Sequence, residues 1–186
     1  MGGHTGVVDV LVRANAFIAA IGYKNMTPLH DAAKMGHSAI VQVLLDAKAA
    51  IDIKAYHNWT PLHYAASGGH SGAVQVLVVA KASLDVTGLN NWTPLHDAAR
   101  NGQTEVARVL LNAKASIDAE DKQSKTPLHL AAQSGHIAAT QLIVNAKAAL
   151  DVKDSQDSIT LCRGARPHRC RGAIACLFAV IVTTLQ

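Results

Sequence analysis

Thr60-Pro61-Leu62-His63 occurs three more times in the chain, as Thr27-Pro28-Leu29-His30, Thr93-Pro94-Leu95-His96 and Thr126-Pro127-Leu128-His129, and each copy starts 33 residues after the one before. One position after each, a pair of alanines follows: Ala32-Ala33, Ala65-Ala66, Ala98-Ala99 and Ala131-Ala132. The motif reads as the start of a helix. Threonine is a good N-cap, because its hydroxyl can accept from an orphan backbone N–H. Proline at the first helical position loses nothing, since its missing N–H has no partner there anyway. Leucine enters the core, and the alanines leave a face smooth enough for a neighbouring helix to approach. The helix ends at Gly36-His37, Gly69-His70, Gly102-Gln103 and Gly135-His136, where glycine supplies a left-handed turn.

A fixed period of this length marks stacked repeats, each unable to bury its apolar face alone. With T-P-L-H-x-A in four copies, residues 1–156 resemble the ankyrin-repeat family. The expected fold is an all-α repeat solenoid of stacked helix-turn-helix units with β-hairpin-like fingers. Full repeats are expected at 25–57, 58–90, 91–123 and 124–156, after a partial repeat at 1–24. Each full repeat should hold one helix from Pro28 to about Met35 and a second from Ser38 to about Ala47, or their equivalents. Helices this short are marginal alone, so stacking must hold them. Core positions recur in register as Leu44, Leu77, Leu110 and Ile143, then Leu45, Val78, Leu111 and Val144, then Ile51, Leu84, Ile117 and Leu150.

The ends of the array are irregular. Gly3-His4 aligns with Gly36-His37, so the leading repeat offers only its second helix, with Val7, Val8, Val10, Leu11 and Val12 matching Ile40, Val41, Val43, Leu44 and Leu45. Two readings stand: a fragment of a longer protein, or a ragged cap. Residues 157–186 lose the pattern, with Ile159-Thr160-Leu161-Cys162 where the tetrapeptide is due. They read as a degenerate cap or an irregular tail.

One departure from the family pattern is systematic. Where the resemblance implies glycine after the second helix, the chain has Lys48, Lys81, Lys114 and Lys147. That position wants a left-handed backbone, which lysine takes poorly. Fingertip glycines are replaced by Asn25, Asn58, Asn91 and Ser124, and asparagine tolerates that conformation better.

Charge and cysteine usage narrow the function. Residues 1–156 hold 13 Lys and Arg against 12 Asp and Glu, whereas the tail holds four Arg and one Asp. The repeats therefore lack the basic stripe of a nucleic-acid-binding domain. All three cysteines, Cys162, Cys170 and Cys176, lie in the tail, which is no disulfide framework, and an intracellular, cytoplasmic setting is expected. No apolar run reaches the ~18 residues of a membrane span, so neither a membrane nor a nucleic acid is an expected partner, and a monomer is expected.

Eight of the ten histidines sit on repeat positions. The resemblance implies that they make hydrogen bonds tying turns and repeats together. No metal or other cofactor is expected, and no nucleophile-base-acid set is found. Asp31 and Asp97 lie at equivalent positions two repeats apart, ~20 Å at about 10 Å per helix layer, too far for a catalytic pair. They are expected to be solvated surface acids.

The expected function is therefore a non-enzymatic protein–protein interaction scaffold. The alternative is a regulatory or targeting fragment of a larger enzyme or channel. In the family the finger and first helix form a concave recognition face, and here four of seven aromatics, Tyr23, Tyr56, Trp59 and Trp92, fall on fingers. Interfaces are rich in Trp and Tyr at their centres, although packing between fingers accounts for such residues equally. The expected contact residues are Lys54, Tyr56, His57, Trp59, Tyr64 and Ser67 on one repeat. On the next they are Leu89, Asn90, Trp92, Asp97, Arg100 and Asn101. Met26, Lys34 and Met35 extend the patch on one side, and Lys122, Lys125 and Gln133 on the other.

Overall fold

The computed structural model describes residues 5–14, 18–150 and 152–155. Among them, one short helix and four helix pairs follow in order: α1 (Thr5–Arg13), α2 (Pro28–Lys34), α3 (Ser38–Asp46), α4 (Pro61–Gly68), α5 (Ser71–Val79), α6 (Pro94–Arg100), α7 (Thr104–Asn112), α8 (Pro127–Gln133) and α9 (Ile137–Asn145). First helices α2, α4, α6 and α8 pack on one another in sequence, and second helices α1, α3, α5, α7 and α9 form a parallel row. The architecture is the expected all-helical repeat stack. The helices begin and end within a residue or so of the expected positions, because the cap residues fix them. The degenerate cap or irregular tail expected at residues 157–186 lies outside the described residues.

The periodic sequence becomes a periodic core. Leu29, Leu62, Leu95 and Leu128 are buried, as are the alanine pairs, and Leu44, Leu77, Leu110 and Ile143 fill the space between rows. Leu45, Leu111 and Val144 are half-buried against that core, as are Ile51, Ile117 and Leu150. In α1 the pattern weakens: Leu11, the equivalent of buried Leu44, is 51% exposed, because no described first helix covers that face.

Each first helix opens with a reciprocal capping box of Thr and the His three residues on. The histidine does more than cap. In His30, His63 and His96, Nδ1 accepts the threonine N–H at 3.1–3.2 Å. That fixes the proton on Nε2, which then donates to the next finger: His30 to the Trp59 carbonyl, His63 to that of Trp92, His96 to that of Lys125. A second set of ties runs backwards, from His70 Nε2 to the Lys34 carbonyl and from His136 Nε2 to that of Arg100, both at 2.9 Å. Gly36 turns with φ +72, and a Cβ there would strike the His70 ring, so that glycine serves both the turn and the tie.

A third set of ties has a sequence signature, yet the apolar pattern hides it. Asp52 accepts from the Ser83 N–H and hydroxyl, Asp85 from the Ser116 N–H and Asp118 from the Ala149 N–H. These acids recur at period 33, one residue after Ile51, Leu84 and Ile117, and pin the end of the following second helix.

The helix-end lysines do hold the left-handed conformation: φ is +66 at Lys48, +70 at Lys81, +73 at Lys114 and +69 at Lys147. So do the fingertips. His57-Asn58 and Asn90-Asn91 both have positive φ at consecutive residues, as does Lys24-Asn25, the geometry of a tight type I′ turn. The fourth finger differs. Only Ser124 is left-handed, and the Asp121 carboxylate closes the turn by accepting from the N–H groups of Gln123 at 2.7 Å and Lys125 at 2.9 Å.

Candidate functional site

The fingers and first helices share one face, and its side chains gather in two groups. Around the second finger, Trp59 meets Tyr64 edge-on at 4.9 Å and lies parallel to His63 at 6.0 Å. The next finger leaves room for the indole: a Cβ on Gly88 would come within 2.8 Å of Trp59 Cδ1. Tyr56 and His57 lie 3.8 Å apart with their rings tilted by 48°, and Lys24 reaches over both Tyr23 and Tyr56. Tyr23 and Tyr56 are exposed, whereas Trp59, Tyr64 and Trp92 are half-buried. Both exposed aromatics among the described residues thus stand on fingers.

The second group surrounds a cleft of about 340 Å³ between the third and fourth fingers. Asn90, Trp92, Arg100, Lys122, Lys125 and Gln133 line it, together with Asp121, Gln123, Leu130 and Ser134, which sequence reasoning did not single out. Trp92 is held at one face and at its edge. Its Nε1 donates to Asp121 Oδ2 at 3.0 Å, and the Arg100 guanidinium lies 4.8 Å from the ring centre. The Lys122 N–H donates to the Asn90 carbonyl, joining the two fingers, and Lys125 Nζ donates to Gln133 Oε1.

Other expected contact residues stand apart from these groups. Asn101 Nδ2 donates to the Ser67 carbonyl and hydroxyl, bridging two first-helix ends. Lys34, Met35, Lys54 and Leu89 are exposed, and Met26 is half-buried.

Asp97 corrects an expectation. It is not a solvated acid: 2% of it is exposed, and its Oδ2 accepts no hydrogen bond from the described residues. It sits on α6, which packs between α4 and α8, where its equivalents are Tyr64 and Leu130, while Asp31 on α2, at the edge of the stack, stays exposed. Burial pushes the Asp97 carboxyl up to about 8, against the smaller opposing pull of Arg100. Asp97 therefore lies behind the face rather than on it, and at neutral pH it is protonated.

Burial works the other way on the histidines, since it disfavours their charged form. It pushes His63 down to about 4 and lowers His30 and His96 too, although their carbonyl partners pull upward. These rings are neutral ties rather than proton carriers. Among the described residues no group of three or more His, Cys, Asp and Glu is placed to hold a metal ion, and no helix is long and apolar enough to cross a membrane.

No curated protein matches the sequence. The family profile described as "Ankyrin repeats (3 copies)" matches it in three overlapping stretches, residues 1–88, 48–121 and 79–154. With those matches and the repeated capping boxes, turns and ties, the chain belongs to the ankyrin-repeat family.

Proposed function

We propose that this chain is a non-enzymatic scaffold that binds a protein partner through the concave face made by its fingers and first helices. Ankyrin repeats are in general protein–protein interaction modules. The observation that carries the reading to this face is the position of the exposed aromatics: Tyr23 is 83% and Tyr56 53% exposed, both at fingertips, with Leu89 on the next finger at 44%. A large apolar side chain held out on a rigid turn gains free energy once a partner covers it. The cations Lys24, Lys54, Arg100, Lys122 and Lys125 surround these groups, so the partner carries an apolar anchor within an acidic rim. A nucleic acid fits less well, since residues 1–156 have a net charge of only +1 from their Lys, Arg, Asp and Glu.

The test is affinity capture with the full chain as bait, identification of the retained protein, then titration of that purified protein against variants. Tyr56→Ala and Leu89→Ala remove exposed groups and should leave the thermal midpoint within a few degrees of the parent's. Trp59→Ala and Trp92→Ala remove half-buried ones, so their binding is compared only where circular dichroism shows a folded array. Hot-spot truncations cost ~2 kcal/mol or more of binding. Parental affinity in all four folded variants rules this face out.

A further inference from the structure

We propose that the cleft between the third and fourth fingers seats the carboxylate of an aspartate or glutamate side chain within an extended segment of the partner. This rests on the face assignment above and gives it a chemical class. Three cations come to the cleft from two elements, Arg100 from the end of α6 and Lys122 and Lys125 from the fourth finger. Among the described residues none of them makes an ion pair; Lys125 Nζ donates to the neutral amide of Gln133.

The one acid in the lining does not cancel them. Asp121 is buried, and its oxygens already accept from two backbone N–H groups and the Trp92 indole. Its role is to shape the turn and hold the indole. Arg100, Lys122 and Lys125 against Asp121 leave the cleft with a net charge of +2, more than the +1 of residues 1–156 as a whole. The Arg100 charge is not neutralised from behind either, because Asp97 is buried and protonated at neutral pH.

An incoming carboxylate thus finds donors it can share without displacing an existing acid. Trp92 and Leu130 line the same cleft and suit the methylene groups of the acidic side chain. The position favours a passing chain over a chain end. Two repeats precede the cleft, and residues 152–155 continue the stack beyond it, with the Ser155 N–H bonded to the Gln123 carbonyl. A segment lying along the face crosses the cleft midway.

The experiment selects peptides from a random display library on the immobilised full chain, then synthesises the enriched sequences with amidated C-termini for calorimetric titration. The expected peptides carry an acidic residue. Their affinity should fall about tenfold in Lys122→Gln and in Arg100→Gln, and more steeply at low than at high salt. Changing the peptide's acid to its amide should abolish sensitivity to Lys122→Gln, a coupling that general destabilisation cannot produce. Lys122 is exposed, so its variant stays folded even if Arg100→Gln disturbs Trp92. Peptides weakened by Tyr56→Ala but indifferent to both cleft variants overturn this inference and leave the face assignment standing. Peptides indifferent to Tyr56→Ala as well overturn both. Binding that vanishes on C-terminal amidation means a terminal carboxylate occupies the cleft and overturns the assignment to a side chain.

Discussion

Replacing Asp97 with asparagine should stabilise this protein, and by an amount that depends on pH. The carboxyl rises from 3.8 to about 8 on folding because burial disfavours its charged form. The folded state therefore keeps a proton that the unfolded chain releases across that window, and the contribution of this carboxyl to stability must fall as pH rises from about 4 to 8. One pKa unit corresponds to ~1.4 kcal/mol. At pH 7 the protonation of Asp97 then costs folding roughly 4 kcal/mol. Asparagine has nearly the same shape and no proton to acquire, but its buried amide lacks a partner at a cost of ~1–3 kcal/mol. The net gain near neutral pH is about 1–3 kcal/mol. The cleaner measurement is a double difference, with urea unfolding of parent and Asp97→Asn at pH ~4.5 and ~7.5. Every other titration is shared and cancels, and Tyr64 on α4, whose hydroxyl burial pushes upward, stays neutral throughout. The advantage of the variant should grow by at least ~2 kcal/mol between the two pH values. An equal effect at both would mean that Asp97 is ionised in the folded protein and that its burial is relieved by a partner.

Three further outcomes are expected. Changing Lys48, Lys81, Lys114 and Lys147 together to glycine relieves four left-handed backbones at ~1 kcal/mol each. After the looser unfolded chain takes back its share, the urea midpoint should rise by the equivalent of about 1–3 kcal/mol; an unchanged midpoint means that the lysine side chains return what their backbones cost. In the Asp97→Asn variant, which lacks the opposing carboxyl, thermal midpoints should drop as pH falls from about 6.5 towards 4, because unfolded histidines take up protons while burial keeps His30, His63 and His96 neutral; a flat profile of that variant across the range contradicts the neutral tie. Deleting residues 157–186 should leave the helical circular dichroism signal and cooperative melting of the repeats largely intact, and loss of cooperativity would make that segment an integral part of the stack.

What the sequence revealed, and what it hid, follows from the range of each interaction. The Thr-Pro-Leu-His caps, the alanine pairs and the leucine register act within one repeat, so each copy announces itself. The need for left-handed lysines was readable too, because a turn between fixed elements imposes its φ whatever residue occupies it. The burial of Asp97 is not legible in its own repeat, because the helices packed on either side of α6 become its neighbours only in the stack. Asp121 has no repeat signature, because the fourth finger closes with a side chain where the others close with paired left-handed residues. The Asp52, Asp85 and Asp118 ties obey the period but sit beside apolar positions whose stronger register masks them.

The ties between repeats also govern how such a chain can change in length. His63 reaches the carbonyl of residue 92, His70 that of residue 34, and Asp52 the N–H of residue 83, and the neighbouring copies of these bonds repeat the same offsets. Excising or duplicating one 33-residue unit rejoins partners of the same kind, whereas an insertion of any other length separates all three sets at one junction. The number of units can thus drift by whole steps while each seam stays intact. The cleft of Trp92, Arg100 and Asp121 belongs to a single seam, so reach along a partner and selectivity for it are independently variable.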